Sequence, residues 1–370
     1  MAPVNRLVQL SDIVSQKAKV ITDFLASKGV EVPSFDVDGV AEYPITPNDT
    51  EAFDARLELI AASKELYALA HGPKDHIRNL CWDALDPLSL QALWTFRVAE
   101  AVPLDGLISY EQVTRKCQEL SGVDVPLFNL QRLIRHAITN RFFCEPNLGF
   151  ITHTRASRLL LEDETINAWV GLFSNDMWPA FASTVTAMKT WPGSEEANET
   201  GVNIAYRHNL RWFDHTSRNP LVADRYSKSM KAHGGGVGFD VSHTVTGYPW
   251  SQIGDGLVVD ADIYFFRWVF HGFADKYAVQ VLRAMIPVLK EGARIVINDG
   301  VIPDPGTVPW MEYRSIRCMD LLGQAVNNTG ERSVGDWANL FKKTDPRFKW
   351  LNAWKPPKST MWFVEAEWQP

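Results

Sequence analysis

The spacing of apolar positions divides the chain into a helical first part and a strand-bearing last part. Residues 7–28, LVQLSDIVSQKAKVITDFLASK, repeat apolar side chains at helical intervals and run into Gly29, so the spacing predicts a helix that stops there. NDTEAFDARLELIAASKELYALAHGP predicts a second helix, acidic in its first turn and halted at Gly72-Pro73. The pattern then predicts a helix over 87–101 and a second over ISYEQVTRKCQEL, where Ser109 and Gln112 have capping-box spacing. A third covers 126–139, capped at Asp124 or Val125 with Pro126 in its first turn. Two short β runs flank Pro146-Asn147-Leu148-Gly149, a hairpin signal. Residues 155–233 read as aromatic-rich helices. From 256 onward GLVVDADIYFFRWVF, ARIVIND and TMWFVEAEW read as strands, interleaved with helices over DKYAVQVLRAMIPVLKEG, ending at Gly292, and over SVGDWANLFKK. Such alternation predicts a parallel or mostly parallel sheet with helices on its faces.

These elements group into four stretches: N-terminal helices (1–85), a winged-helix-like unit (86–160), a helical linker that could roof a pocket (161–250) and an α/β region (251–370). Helix 126–139 carries Leu127, Leu130, Leu133 and Ile134 rather than a basic stripe, which favours packing and dimerisation over DNA binding. The first two helices could wrap a partner subunit or pack within the chain.

Composition narrows the functional classes. A net charge of −7 argues against nucleic acid as the default partner, because phosphate binding needs a basic face. No apolar run reaches the length of a membrane span, and the N-terminus is amphipathic, unlike a signal peptide. Cys81, Cys117, Cys144 and Cys318 have no CxxC spacing, which speaks against a zinc knuckle and fits reduced thiols in the cytoplasm. The acidic residues show no ligand clustering, so no metal is expected. Fourteen tryptophans suit either a large core or a pocket for a flat apolar ligand.

Two stretches, FFRWVFHGFADKYAVQVLRAMIPVLKEGARIVINDGVIPDPG (265–306) and NNTGERSVGDWANLF (327–341), carry a specific resemblance. With the order of parts before them, they resemble the fungal, secondary-metabolite branch of the plant- and fungal-type class I O-methyltransferases. The resemblance implies a mainly α winged-helix dimerisation domain followed by a Rossmann-like α/β domain, here incomplete. It implies a small aromatic or polyketide substrate, S-adenosylmethionine as cofactor and a homodimer. It also implies that His271 is a general base, with Asp299 and Glu331 as its acidic partners. Asp260, Arg267 and Trp268 fall at cofactor positions, and His136, Trp212, Phe213, Met319 and Asp320 at substrate positions. FHGF departs from the usual His-Asp or His-Asn pair, so Gly272 removes a side chain beside the base.

A larger departure concerns the cofactor. In the family a glycine-rich loop follows the first strand, and an acid on the second strand holds the ribose. LVVD (257–260) supplies the strand and its aspartate, but the next residue, Ala261, already opens what resembles the fourth strand. Parallel neighbours need a crossover of a dozen or more residues, so these segments cannot both hold their family positions. About two βα units are missing. The expected consequences are one long or displaced strand, an exposed sheet edge, a bare apolar face and weak or absent cofactor binding. KAHGGGVGFD (231–240) has suitable letters but follows a helix and precedes no amphipathic helix, so it reads as a connector.

Three functions remain: an O-methyltransferase whose sequence shows a clean excision, as a skipped exon would leave; a pericyclase- or dehydratase-like enzyme working without the methyl donor, with His136 and Arg267 as candidates; and a non-catalytic dimer partner.

Overall fold

A computed structural model of the chain describes residues 5–235, 238–253 and 262–370. The described residues form two compact units: Met1–Trp178 with Leu221–Ala232, and Pro179–Pro220 with His233–Pro370. This division runs through the 161–250 stretch, not around it.

In the first unit α1 (Arg6–Ser27) packs on α2 (Thr50–Trp82) through Ile21, Leu25, Ala52, Phe53 and Ala55. The expected stop at Gly72-Pro73 is a kink. Gly72 takes φ 69°, and Pro73 restarts the helix at a first-turn position where its missing N–H costs nothing. Ile77, Leu80 and Trp82, beyond the kink, are exposed.

Next come α3 (Asp86–Thr95) and α4 (Val98–Ala101), one predicted helix broken where Arg97 adopts a left-handed conformation. Strand β1 (Ile108–Ser109) leads into α5 (Tyr110–Ser121), α6 (Leu127–Thr139), β2 (Cys144–Asn147) and β3 (Phe150–Thr152). The Ser109/Gln112 capping box forms as expected. Pro126 itself caps α6, in place of Asp124 or Val125, because its fixed φ of −57° and extended ψ already turn the chain into the helix. The strands make an antiparallel sheet in the order β1-β3-β2. Its helices share a closed core of Leu93, Val113, Leu130, Ile134, Phe143 and Ile151. Then follow α7 (Arg155–Glu162), α8 (Glu164–Gly171), α9 (Trp178–Thr190), α10 (Gly201–Tyr206), α11 (Trp212–Ser217), α12 (Pro220–Gly234) and α13 (Ser242–Gly247).

The second unit contains β4 (Ile263–Arg267), α14 (Asp275–Met285), β5 (Arg294–Asp299), β6 (Val301–Ile302), α15 (Trp310–Asn327), β7 (Arg332–Ser333), α16 (Val334–Thr344), β8 (Phe348–Trp354) and β9 (Trp362–Trp368). Helix α14 stops at Met285 rather than Gly292, since Pro287 has no N–H for the carbonyl four residues back. The main sheet has the order β4-β5-β9-β8. It is mixed, not mostly parallel. Only β4 and β5 run parallel, while β8 and β9 are joined by a short loop that forces an antiparallel pair and lays β9 antiparallel on β5. Strand β8 and helix α15 are elements that the sequence pattern did not single out.

Strand parity sorts the two faces of this sheet. Tyr264, Phe266, Ile295 and Ile297 face α14 and α16, in a core with Leu282, Trp337 and Phe341. Ile263 and Val296 face the other way, toward Tyr248 and Trp250. That second face was expected to be bare. Instead residues 238–250 strap across it. Thr244 Oγ1 donates to Asn298 Oδ1 at 2.9 Å, Tyr248 Oη to Glu365 at 2.9 Å and Trp354 Nε1 to the Gly247 carbonyl at 3.2 Å. These contacts cover that face of the sheet. The fate of GLVVD as a strand lies outside the described residues, as do two residues of the GGGVG run; among the described strands β4 pairs only with β5.

Candidate active site

Because β4 and β5 are parallel and in register from Ile263↔Arg294 to Arg267↔Asn298, their C-terminal ends lie side by side. The turn after β4 carries His271, and β5 ends on Asp299. The sheet therefore brings together two residues 28 positions apart: His271 Nδ1 lies 3.1 Å from Asp299 Oδ1. Asp299 also accepts the His271 backbone N–H at 3.0 Å and that of Gly300 at 3.0 Å. Asp299 is fully buried, whereas the His271 side chain keeps 30% of its surface.

Glu331 completes the group without bonding to Nδ1. Its backbone N–H donates to Asp320 Oδ1 at 2.9 Å. A Cβ on Gly300 would meet Glu331 Oε2 at 2.7 Å, so glycine at 300 is what lets this carboxylate close on the end of β5. Burial pushes the Glu331 carboxyl up, Asp299 and Asp320 push it further, and it reaches about 7 against the opposing charges of His271 and Arg332. For His271 burial favours the neutral ring. The hydrogen bond and charge of Asp299, with the charge of Glu331, outweigh burial and leave the pKa above its ordinary value.

Arg332, which the sequence pattern did not single out, braces this arrangement. It is buried and donates to Asp275 Oδ1 at 2.9 Å and to the Phe270 and Phe273 carbonyls at 2.9 and 2.7 Å, the residues flanking the His271 turn. Its signal was the charge pair Glu331-Arg332 in NNTGERS. His233 is a second unanticipated neighbour. With Phe239 and Trp268 it forms an aromatic cluster, and Trp268 meets the His271 ring edge-on at 5.2 Å. Burial and the charge of His271 lower the His233 pKa.

The other anticipated residues are placed as follows. Arg267 projects from the face of the sheet opposite Asp299. Its guanidinium donates to Thr244 Oγ1, to Asn298 Oδ1 at 2.6 Å and to the Phe239 carbonyl at 2.7 Å, so it holds the strap. Trp268 leaves β4 with φ 56°. Trp212 is fully buried and Phe213 is exposed. Met319 and Asp320 are half-buried on α15. His136 belongs to the first unit, with Nδ1 3.1 Å from Ser89 Oγ and Nε2 4.0 Å from Asp86. Asp260 lies outside the described residues.

S-adenosylmethionine needs a glycine turn between a strand and a helix, and an acid for its ribose. Among the described residues neither is found. Gly238 has φ 86°, but its bare face is closed by Thr360, whose Oγ1 would lie 2.2 Å from a Cβ there. The described residues do not fit the cofactor. Among them, no three His, Cys, Asp or Glu side chains converge as metal ligands, and no helix is long and apolar enough to cross a membrane.

Known proteins give this geometry its context. Chlorophenol O-methyltransferase of Trichoderma longibrachiatum is 29% identical, over 98% of this chain and 90% of its own length. The grayanic acid biosynthesis cluster O-methyltransferase of Cladonia grayi is also 29% identical, over 99% of this chain and 89% of its own. This chain is a homologue of fungal secondary-metabolite O-methyltransferases. No family model matches it. Its fold is shared with OxaC, at a TM-score of 0.73 and 17% identity over 98% of this chain and 99% of that one. A structure of LepI in complex with SAM follows at TM-score 0.63 and 14% identity, over 97% and 100%. The match to the Trichoderma homologue spans 432 positions against 370 residues here, so at least 62 positions of that homologue (432 less 370) have no counterpart in this chain.

Proposed function

We infer that the chain is built for O-methyl transfer, in which His271 takes the proton from a hydroxyl of a small aromatic or polyketide acceptor. A neutral phenol is a poor nucleophile toward a methyl sulfonium, and proton removal is what a positioned imidazole supplies. The observation that carries this reading is the 3.1 Å pair of His271 Nδ1 and Asp299 Oδ1. An ionised carboxylate only accepts, so Nδ1 keeps its proton and Nε2 presents the lone pair to the acceptor. Homologues named O-methyltransferases support the same reaction, with S-adenosylmethionine as the donor when bound.

We place the missing positions at the junction after Asp260, which makes the Rossmann-like domain incomplete on the donor side. The count of at least 62 unmatched positions and the described sheet, which starts at β4, both support this. The chain then binds S-adenosylmethionine weakly or not at all. Calorimetric titration with the demethylated product tests the point: no saturable heat is expected, and micromolar affinity would overturn it.

A second reading runs the same acid–base site without a donor, as a cyclisation or dehydration of a polyketide or alkaloid. The intact His271–Asp299 pair, with no cofactor cradle among the described residues, favours it, as does the shared fold with a pericyclic reaction enzyme at TM-score 0.63. Turnover of an acceptor with no donor present separates the two. Under either reading the chain works as a homodimer in the cytoplasm. The exposed Ile77 and Leu80, neighbours on one face of α2, and the four free cysteines support this. Showing neither binding nor turnover, the chain would be a non-catalytic partner.

A further inference from the structure

His271 stands on a turn that holds itself only weakly. Phe270–Gly272 is one short turn, closed by the Gly272 N–H on the Val269 carbonyl at 3.2 Å and the Phe273 N–H on the Phe270 carbonyl at 3.1 Å. A Cβ on Gly272 would meet no atom within 4 Å, so no group beyond the adjoining residues steadies the turn there. Glycine also gives the backbone beside the base more freedom than any other residue would. The 3.1 Å contact of Nδ1 with Asp299 nonetheless depends on where this turn stands.

Two buried groups fix its place. Asp299 holds the middle by accepting the His271 backbone N–H at 3.0 Å. Arg332 holds both ends: Nη1 donates to the Phe270 carbonyl at 2.9 Å and Nη2 to the Phe273 carbonyl at 2.7 Å. Its Nε donates to Asp275 Oδ1, in the first turn of α14, at 2.9 Å. The guanidinium has little room to move, because its side chain is 5% exposed and it lies 5.0 Å from the centre of the fully buried Trp337 ring of α16. Its backbone is fixed as well: Arg332 on β7 pairs with Val301 on β6, two residues after Asp299. Both anchors of the turn therefore belong to one frame, and that frame sets the distance between ring and carboxylate.

We propose that Arg332 is a positioning residue for His271: by holding the carbonyls on both sides of Gly272 it keeps the imidazole registered on Asp299, with Nε2 presented to the acceptor. The role rests on the reading of His271 as the base. It needs the planar fork of a guanidinium, since a lysine ammonium in the same place carries the charge without the geometry. Charge alone has a different signature. Asp299 and Glu331 favour the protonated ring, Arg332 opposes it, and His233 is the other titratable group coupled to it. Removing the Arg332 charge with the ring in place would raise the His271 pKa; letting the ring leave Asp299 lowers it, because burial then prevails.

Nitrogen-15 NMR of the histidine rings reads tautomer and pKa in the resting protein, with neither donor nor acceptor present. The His271 signals are assigned by their loss in His271→Gln. Wild type should show a single tautomer, Nδ1–H, above the pKa. Arg332→Lys and Arg332→Met should both lose that preference, mixing the two tautomers, and both should bring the pKa below its ordinary value. A role confined to stability predicts easier unfolding in denaturant with the wild-type tautomer kept. A purely electrostatic role predicts a raised pKa in Arg332→Met and no change in Arg332→Lys. Either pattern overturns the proposal. Should both variants fail to fold, Asp275→Ala decides, because it releases Nε of Arg332 from a half-exposed site. The Nε2–H tautomer should then become detectable, and a ring like that of the wild type overturns the proposal. A wild-type ring that already mixes tautomers overturns the proposal together with the reading of His271 as the base. A single wild-type tautomer that persists in the variants overturns the role of Arg332 alone.

Discussion

The winged unit at residues 86–160 and the C-terminal sheet both need two covered faces, and they obtain them from different kinds of sequence. The small unit closes on its own helices: α3, α5 and α6 bury Leu93, Val113, Leu130 and Ile134 against the β1–β3 sheet. The larger sheet is covered on one face by the amphipathic helices α14 and α16, as its pattern foretold. On its other face the cover is a strap built on the short helix α13, pinned by Thr244, Tyr248 and Trp354 through polar contacts. An apolar surface does not require a long amphipathic helix to shield it. It requires enough apolar area and partners for the polar groups that go with it.

The strongest way to break this comparison is to add the positions proposed to be missing. Inserting the unmatched segment of the Trichoderma homologue after Asp260 should displace the strap and raise affinity for S-adenosylmethionine by roughly a hundred-fold or more, about 2.7 kcal/mol at 1.36–1.4 per tenfold. Calorimetry on the chimera checks it; unchanged affinity would place the deficit elsewhere. In the self-contained unit, Leu130→Ala removes a fully buried side chain and should cost about 2–5 kcal/mol in denaturant unfolding. A loss under 1 kcal/mol would show that core to be slack.

The paired site offers subtler tests. Asp299→Asn removes the chief cause that raises the His271 pKa, so burial prevails and the pKa should fall below its ordinary value in an NMR titration. Glu331 is raised from 4.5 to about 7, so between those values the folded state binds more protons than the unfolded one. Stability therefore declines as pH climbs through that window and levels off above it. Glu331→Gln should abolish that decline, gaining on the wild type in thermal melts at pH 8 but not at pH 4. The smallest effect is expected in the strap: Tyr248→Phe loses one hydrogen bond to Glu365 and should cost about 1 kcal/mol.

Local pattern located β4 and β5, because buried strands announce themselves. His271, Asp299 and Glu331 were candidates only through the family resemblance of 265–306 and 327–341, and the structure brings His271 and Asp299 to 3.1 Å. Arg332 escaped notice because its importance lies in three acceptors from residues 270, 273 and 275, about 60 positions away. The placement of Arg267 was likewise not legible along the chain. Proximity to His271 along the chain suggested a shared site, and strand parity put it on the opposite face.

The sequence by itself determined most of the helices, the strands β4, β5 and β9, and that Asp260 is followed directly by Ala261, since these follow from local periodicity and chain order. Tertiary structure alone decided that β9 lies antiparallel beside β5, that residues 238–250 cover the second face and that Glu331 rests against the end of β5, where His271 meets Asp299. Those outcomes depend on which surfaces meet, and contact across a hundred residues leaves no periodic trace in the chain.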